Sequence, residues 1–185
     1  MKIFETDRLL VRRLTLDDAA FVLELVNEPA WLQFIGDRGV RTLDDARTYL
    51  TNGPLAMYAQ RGFGLFAVER KSDRALLGIC GLLKRDTLPD VDLGFAFLEK
   101  FRRQGYAREA ATATLAHGHR AFALDRIVAI TALENPRSIQ LLEKLGFVFE
   151  RVIRHAPDAP ESRLFGWSAP TAPEASSRSA SPRAV

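Results

Sequence analysis

Apolar and polar positions change period several times along the chain, and each change marks an element. "RLLVRRL" (8–14) reads as a first strand. "LTLDDAAFVLELVN" follows with helical spacing, and Thr15 with Asp18 three residues on makes a capping-box pattern, Asp standing for the usual Glu. The same device opens "TLDDARTYL", where Thr42 and Asp45 begin a second helix that Gly53 is placed to close. Between these helices "NEPAWLQFIGDRG" reads as loop or irregular helix and carries Trp31 and Phe34. The runs "GLFAVERK" (64–71), "ALLGICGLLKR" (75–85) and "VDLGFAFL" (91–98), separated by "KSDR" and "TLPD", predict three strands of an antiparallel meander.

The period then turns helical from Gly105 to about Ala123. Ala107, Ala110, Ala111, Thr114, Leu115, Gly118 and Phe122 share one face, small enough to lie close to a sheet. "RIVAITA" (126–132) reads as a strand buried on both faces. "NPRSIQLLEKLG" is a punctuated helix: Asn135 caps it, Pro136 suits its first position, Lys144 its last turn and Gly146 its end. "FVFERVIRH" and "SRLFGW" read as closing strands. The predicted order is β-α-α-β-β-β-α-β-α-β-β, a single mixed α/β domain with some parallel pairing between residues 91 and 132. Residues 168–185, mostly Ser, Ala and Pro, are expected to form a disordered tail beyond a domain of residues 1–167.

Composition narrows the function classes. The 185 residues suffice for one sizeable core, and 26 Lys+Arg against 23 Asp+Glu give a net charge of +3. That mild excess, with no basic run longer than two residues, suits an anionic small ligand and falls short of a nucleic-acid stripe. The lone Cys80, inside "LLGICGLL", excludes an internal disulfide framework and reads as a buried hydrophobe. No secretory signal or membrane span is expected, which points to the cytoplasm. His117 and His119 stand two apart on a helix and point apart, so no metal site is expected.

One junction asks for a ligand. "EKFRRQGYAREA" (99–110) sets Arg102, Arg103, Gln104 and Gly105 directly before the long helix. A helix N-terminus offers free N–H groups and partial positive charge, Gly105 permits close approach, and arginine bridges phosphate oxygens. Those properties suit a pyrophosphate; a solvated arginine pair before an ordinary helix is the plainer alternative. No P-loop string occurs, and "GFG" (62–64) lacks the third glycine of a dinucleotide fingerprint because Ala67 stands there.

"RRQGYA" resembles the Arg/Gln-x-x-Gly-x-Gly/Ala signature of the GNAT acyltransferases, with Arg102, Gly105 and Ala107 at the defined positions. "VDLGFAFLEKF", "ENPRSIQLLEKLGFVFE" and the opening "ETDRLLVRRLTLDDAAFV" are similar, in the same order, to that family's cofactor strand, its second cofactor region and the start of its RimJ/RimL-type branch. The resemblance implies a GNAT-like fold: a mixed, mostly antiparallel sheet of six to seven strands, helices on both faces and a splayed central strand pair. It implies acetyl-CoA as donor, no metal, and direct transfer to a primary amine on a small molecule or protein N-terminus, with a homodimer common in the family.

For individual residues the resemblance implies a pyrophosphate cradle of backbone N–H groups from Arg103 through Gln104, Gly105 and Tyr106 to Ala107, flanked by the side chains of Tyr106 and Arg108, with Arg102 adding charge. Pantetheine would pair with backbone groups of Phe97 and Leu98, past a bulge near Phe95–Phe97, and an N–H near Leu98 would face the oxyanion. Asp92, where the branch often carries Glu, is the candidate base, against the alternative of a surface carboxylate. Asn135 would both cap its helix and contact cofactor or water, and Ser138 would donate to the leaving thiolate. Leu142 stands where many GNAT enzymes carry a tyrosine acid. Trp31 and Phe34 are candidates for the acceptor wall. A non-catalytic acyl-CoA-binding module is the alternative reading.

Overall fold

The computed structural model describes residues 1–154 and 159–170. Strands β1 (Lys2–Glu5) and β2 (Leu9–Arg12) form an opening hairpin, and α1 (Ala19–Val26), α2 (Pro29–Phe34) and α3 (Leu43–Leu50) follow. A π-helical turn over Thr51–Leu55 leads into α4 (Ala56–Arg61). Then come β3 (Leu65–Arg70), β4 (Leu76–Leu83), β5 (Asp92–Phe97), α5 (Tyr106–Phe122), β6 (Arg126–Ala132), α6 (Pro136–Lys144), β7 (Val148–Ile153) and β8 (Ser162–Ser168). The eight strands make one sheet in the order β1-β2-β3-β4-β5-β6-β8-β7. Only β5 and β6 pair in parallel, and α5 supplies the crossover that such a pair requires.

Four expectations need correction. The sheet has eight strands rather than six or seven, because the four-residue "KIFE" is too short to show a period and gains its partners from β2. Residues 29–34 are a regular helix started by Pro29, which suits a first position. Gly53 does not end α3. Pro54 has no N–H to donate, so the helix widens into the π turn around it and continues to Gly62 (φ +77°). The bulge expected near Phe95–Phe97 is absent: β4 and β5 pair without a break from Leu83↔Asp92 to Gly78↔Phe97. The disordered-tail expectation, from residue 171 on, falls outside the described residues, and Ser168 belongs to β8.

The sheet separates two cores. On one face α5 presents its small residues, and Ala110, Ala111, Thr114, Leu115 and Gly118 are buried against Phe66, Leu82 and Ile127. A Cβ on Gly118 would stand 2.8 Å from Leu82 Cδ1, so the helix lies as close as its glycine allows. Cys80 packs beneath it, its thiol 3.5 Å from the Thr114 hydroxyl and pushed up to about 12 by burial. On the other face α1 and α3 bury Val22, Leu25, Ala46 and Leu50 against Ala67 and Ile79. Among the described residues no helix is long and apolar enough to cross a membrane.

Candidate active site

The two central strands part company after one contact. β5 and β6 pair only at Asp92↔Val128, where Val128 N–H donates to Val91 C=O at 2.9 Å. Leu98 N–H donates to Leu77 C=O at 2.9 Å, so even-numbered residues of β5 bond to β4. By the alternation of an antiparallel ladder, the N–H and C=O groups of Phe95 and the N–H of Phe97 face away from β4, into the gap. Ile130 faces the gap from β6 by the same parity, two residues beyond Val128. A cleft of about 880 Å³ follows this gap from the start of α5 past Asp92 to the α2–α3 segment.

At one end the cleft meets the start of α5. Gly105 occupies the cap position in left-handed conformation (φ +82°, ψ −4°) and has no side chain to offer. The first intrahelical bond runs from Glu109 N–H to Gly105 C=O, so the N–H groups of Tyr106, Ala107 and Arg108 have no helical partner. Helices α3 and α6 differ: Thr42 accepts from Asp45 N–H at 3.1 Å and Asn135 from Ser138 N–H at 3.2 Å. Arg103 is also left-handed (φ +61°), which is uncommon for a residue with a Cβ. The turn is thus shaped to expose donors rather than to cap them.

Arg8, from the β1–β2 hairpin, holds this turn in place. Its guanidinium donates to the Gln104 carbonyl at 3.1 Å and to Glu109 at 2.7 Å, and lies 4.5 Å over the Tyr106 ring. Burial would raise the Glu109 carboxyl, but hydrogen bonds from Thr6 and Arg8 outweigh it and keep it below its ordinary value. Nothing in the local motif pointed to Arg8, which lies 96 positions from Gln104.

Arg102 departs from its expected place beside a phosphate. Its Nε donates to Phe97 C=O at 2.9 Å and its Nη2 to Glu28 at 3.1 Å, and Glu28 also accepts from Glu99 N–H. The guanidinium therefore clasps the loop to β5 and α2. The cleft cations without a protein partner among the described residues include Arg103, Arg108, Arg137 and Lys144. Gln104 points off the cleft, its amide donating to Lys100 C=O at 3.3 Å. Leu98 is buried and lines the opposite core; its N–H, already given to Leu77, cannot face an oxyanion.

Farther along, Asp92 is fully buried, which removes the surface-carboxylate alternative. Burial raises its carboxyl to about 6 against the counter-pull of Arg85, whose Nε donates to both oxygens at 3.1 and 3.2 Å. A buried carboxyl tuned toward neutrality can take a proton near physiological pH. Ser138 and Asn135, at the start of α6, line the same cleft, and so does the apolar Leu142. Trp31 and Phe34 form part of its far wall; the Trp31 indole donates to Gly36 C=O at 3.1 Å. Arg85, Arg38 and Tyr49 also line it and were not legible beforehand, because each comes from a segment with no motif of its own. Among the described residues no three His, Cys, Asp or Glu side chains cluster as for a metal.

Comparison with known proteins fits this geometry. The acetyltransferase (GNAT) domain family matches residues 8–148. The uncharacterized N-acetyltransferase YoaA of Bacillus subtilis strain 168 is 26% identical over 153 residues, 82% of this chain and 86% of YoaA. A GNAT-family acetyltransferase from Bacillus anthracis superposes with a TM-score of 0.74 at 27% identity, covering 91% of this chain and 98% of that one. The ribosomal L7/L12 alpha-N-protein acetyltransferase RimL, solved with coenzyme A, shares the fold with a TM-score of 0.77 at 18% identity, over 91% of this chain and 98% of its own. A GNAT fold with an interrupted central strand pair and an uncapped helix at its end, matched by the family over most of its length, identifies the chain as a member of the GNAT family and an N-acetyltransferase.

Proposed function

We propose that the protein transfers an acetyl group from acetyl-CoA to a primary amine through a ternary complex, as an enzyme of RimJ/RimL-like type. The observation that carries this reading is the β5–β6 gap, whose unpaired backbone donors and acceptors lead straight to the free N–H groups of α5. An arm containing amides would complete the ladder at Phe95 and Phe97, and a pyrophosphate would sit on the N–H groups of Tyr106, Ala107 and Arg108. The donor supplies an acyl carbon activated as a thioester. Asp92, in its ionised form, accepts a proton from the incoming ammonium, directly or through water, because only the neutral amine has a lone pair. The N–C bond forms as the C–S bond breaks, and the second proton that the nitrogen sheds is relayed, through water or the Ser138 hydroxyl on α6, to the departing sulfur, which leaves as the thiol. The resemblance of fold to RimL adds protein N-termini to the acceptors worth testing.

Release of free thiol from acetyl-CoA, dependent on added amine, tests the reading. Saturable acetyl-CoA binding with no release across a broad amine panel would instead favour the acyl-CoA-binding module. Gly105→Val tests the cradle. A β-branched residue at φ +82° is strained, and its Cβ would stand 3.3 Å from Arg8 Nη2. Calorimetric titration should show acetyl-CoA binding weakened by about tenfold or more, roughly 1.4 kcal/mol, with the fold retained. Unchanged affinity would place the phosphates elsewhere.

A further inference from the structure

Resting on the transferase reading above, we infer that the acceptor amine also carries an anionic oxygen group, a carboxylate or a phosphate, which Arg38 and Arg85 bind at the end of the cleft away from α5. Asp92 and Phe97 mark the two ends of β5, five residues or about 17 Å apart at strand rise, so Arg85 beside Asp92 is distinct from the cations of the cradle. Arg85 spends only its Nε on Asp92, and its two terminal nitrogens have no protein acceptor among the described residues. That leaves a planar fork next to the candidate base, matched to carboxylate or phosphate oxygens.

Arg38 is unpaired in a segment whose other arginines are not. Arg41 bonds to Asp37 and Arg47 to Asp44, whereas Arg38 has no acidic partner among the described residues and lines the cleft. Tyr49 lines the cleft with both arginines and senses both: burial raises that phenol, and the charges of Arg38 and Arg85 pull it back. A polycationic acceptor would need acidic walls. Among the described residues the cleft is lined by two carboxylates, Asp92 and Glu28, and Arg102 and the Glu99 N–H already hold Glu28. An amine whose other end is anionic would place its nitrogen toward Asp92 and its oxygens on the arginine fork.

Matched acceptors that differ only in the anion test this. Thiol release is measured for alanine against alaninamide, O-phosphoethanolamine against ethanolamine, and amidated Ala-Glu against Ala-Gln peptides, with spermidine as the polycation. The first two pairs distinguish a carboxylate from a phosphate in small amines, and the third asks whether an acidic peptide supplies the group. The expected result is a kcat/KM at least about tenfold higher for the anionic member of one or more pairs. In Arg38→Gln the KM for that acceptor rises by about tenfold with kcat within about twofold, while its neutral counterpart is unaffected; Arg38→Glu reverses the preference. Equal or better turnover of the neutral members or of spermidine overturns the inference and leaves the transferase reading intact. So does an Arg38→Gln effect equal on both members of a pair. No thiol release from any acceptor, despite acetyl-CoA binding, overturns the transferase reading and this inference with it.

Discussion

Asp92→Asn is expected to lower turnover at saturating acceptor by about 10²–10⁴-fold, the usual contribution of a positioned proton acceptor, while acetyl-CoA affinity stays within about twofold. In the wild type, kcat/KM should fall as pH drops below about 6, where the Asp92 carboxyl takes up its proton, and that limb should vanish in the variant. Near-normal turnover of Asp92→Asn would remove the carboxylate from the chemistry. The same group acts on stability with the opposite sense. Its folded value of about 6 lies above the ordinary 3.8, so its stabilising contribution is full below about pH 4 and is lost as pH rises through 6. The distance from 3.8 to about 6 corresponds to roughly 3 kcal/mol. Chemical denaturation should show the wild type losing about that much relative to Asp92→Asn between pH 4 and pH 8. A folded enzyme that gains activity as it gives up stability across one pH interval would show both effects coming from one carboxyl.

Arg12→Met should be the most destabilising of the substitutions that leave the cleft untouched. The Arg12 guanidinium donates to Asp18 at 2.8 and 2.9 Å and to Glu69 at 3.1 Å, and both carboxylates are buried. Burial by itself would raise Asp18; the Arg12 and Thr15 hydrogen bonds more than offset it and hold the carboxyl below its usual range. That depressed value contributes stability above the unfolded-state value and loses it as pH falls. Removing the shared cation strands the buried Asp18 charge and leaves Glu69 to Arg74 alone, at a cost of about 3–5 kcal/mol at pH 7. The deficit should shrink toward pH 4.5, because burial without Arg12 raises the Asp18 carboxyl and lets it take up a proton. Urea unfolding at both pH values checks this, and a deficit below about 1 kcal/mol at pH 7 would mean that the buried Asp18 charge does not depend on Arg12.

Strong periodicity made most of the chain legible. The small face of α5 was readable because a helix lying this close to a sheet carries mostly Ala, Thr and Gly where it touches, and the caps at Thr42 and Asn135 followed from local chemistry alone. Elements supported mainly from a distance were missed. β1 has four residues and depends on β2, while the passage of the α3 helix through Gly53 and Pro54 depends on a π turn that no local preference announces. The site divided along the same line. Gly105, Tyr106, Ala107, Asn135, Ser138 and Asp92 converge on one cleft, as motif order anticipated. The fate of Arg102 was not legible, because Glu28, its partner, is 74 positions away. Arg8, Arg38, Tyr49 and Arg85 were equally silent. A residue that serves by pairing across the fold leaves no spacing to read.

The lone Asp92–Val128 contact between β5 and β6 has a mechanical consequence. The ladder is two half-sheets, β1 to β5 and β6 to β8, stitched at one point and otherwise held by the side chains of a shared apolar core. The seam between them is the line of least backbone resistance through the molecule, and it opens into the cleft. A bound arm that bonds to both banks would act as sewing thread, stiffening a joint that the polypeptide leaves slack. Amide exchange at Phe95, Phe97 and Ile130 should then be fast in the free protein and slow markedly when donor is added, so that the supply of donor sets the rigidity of the sheet.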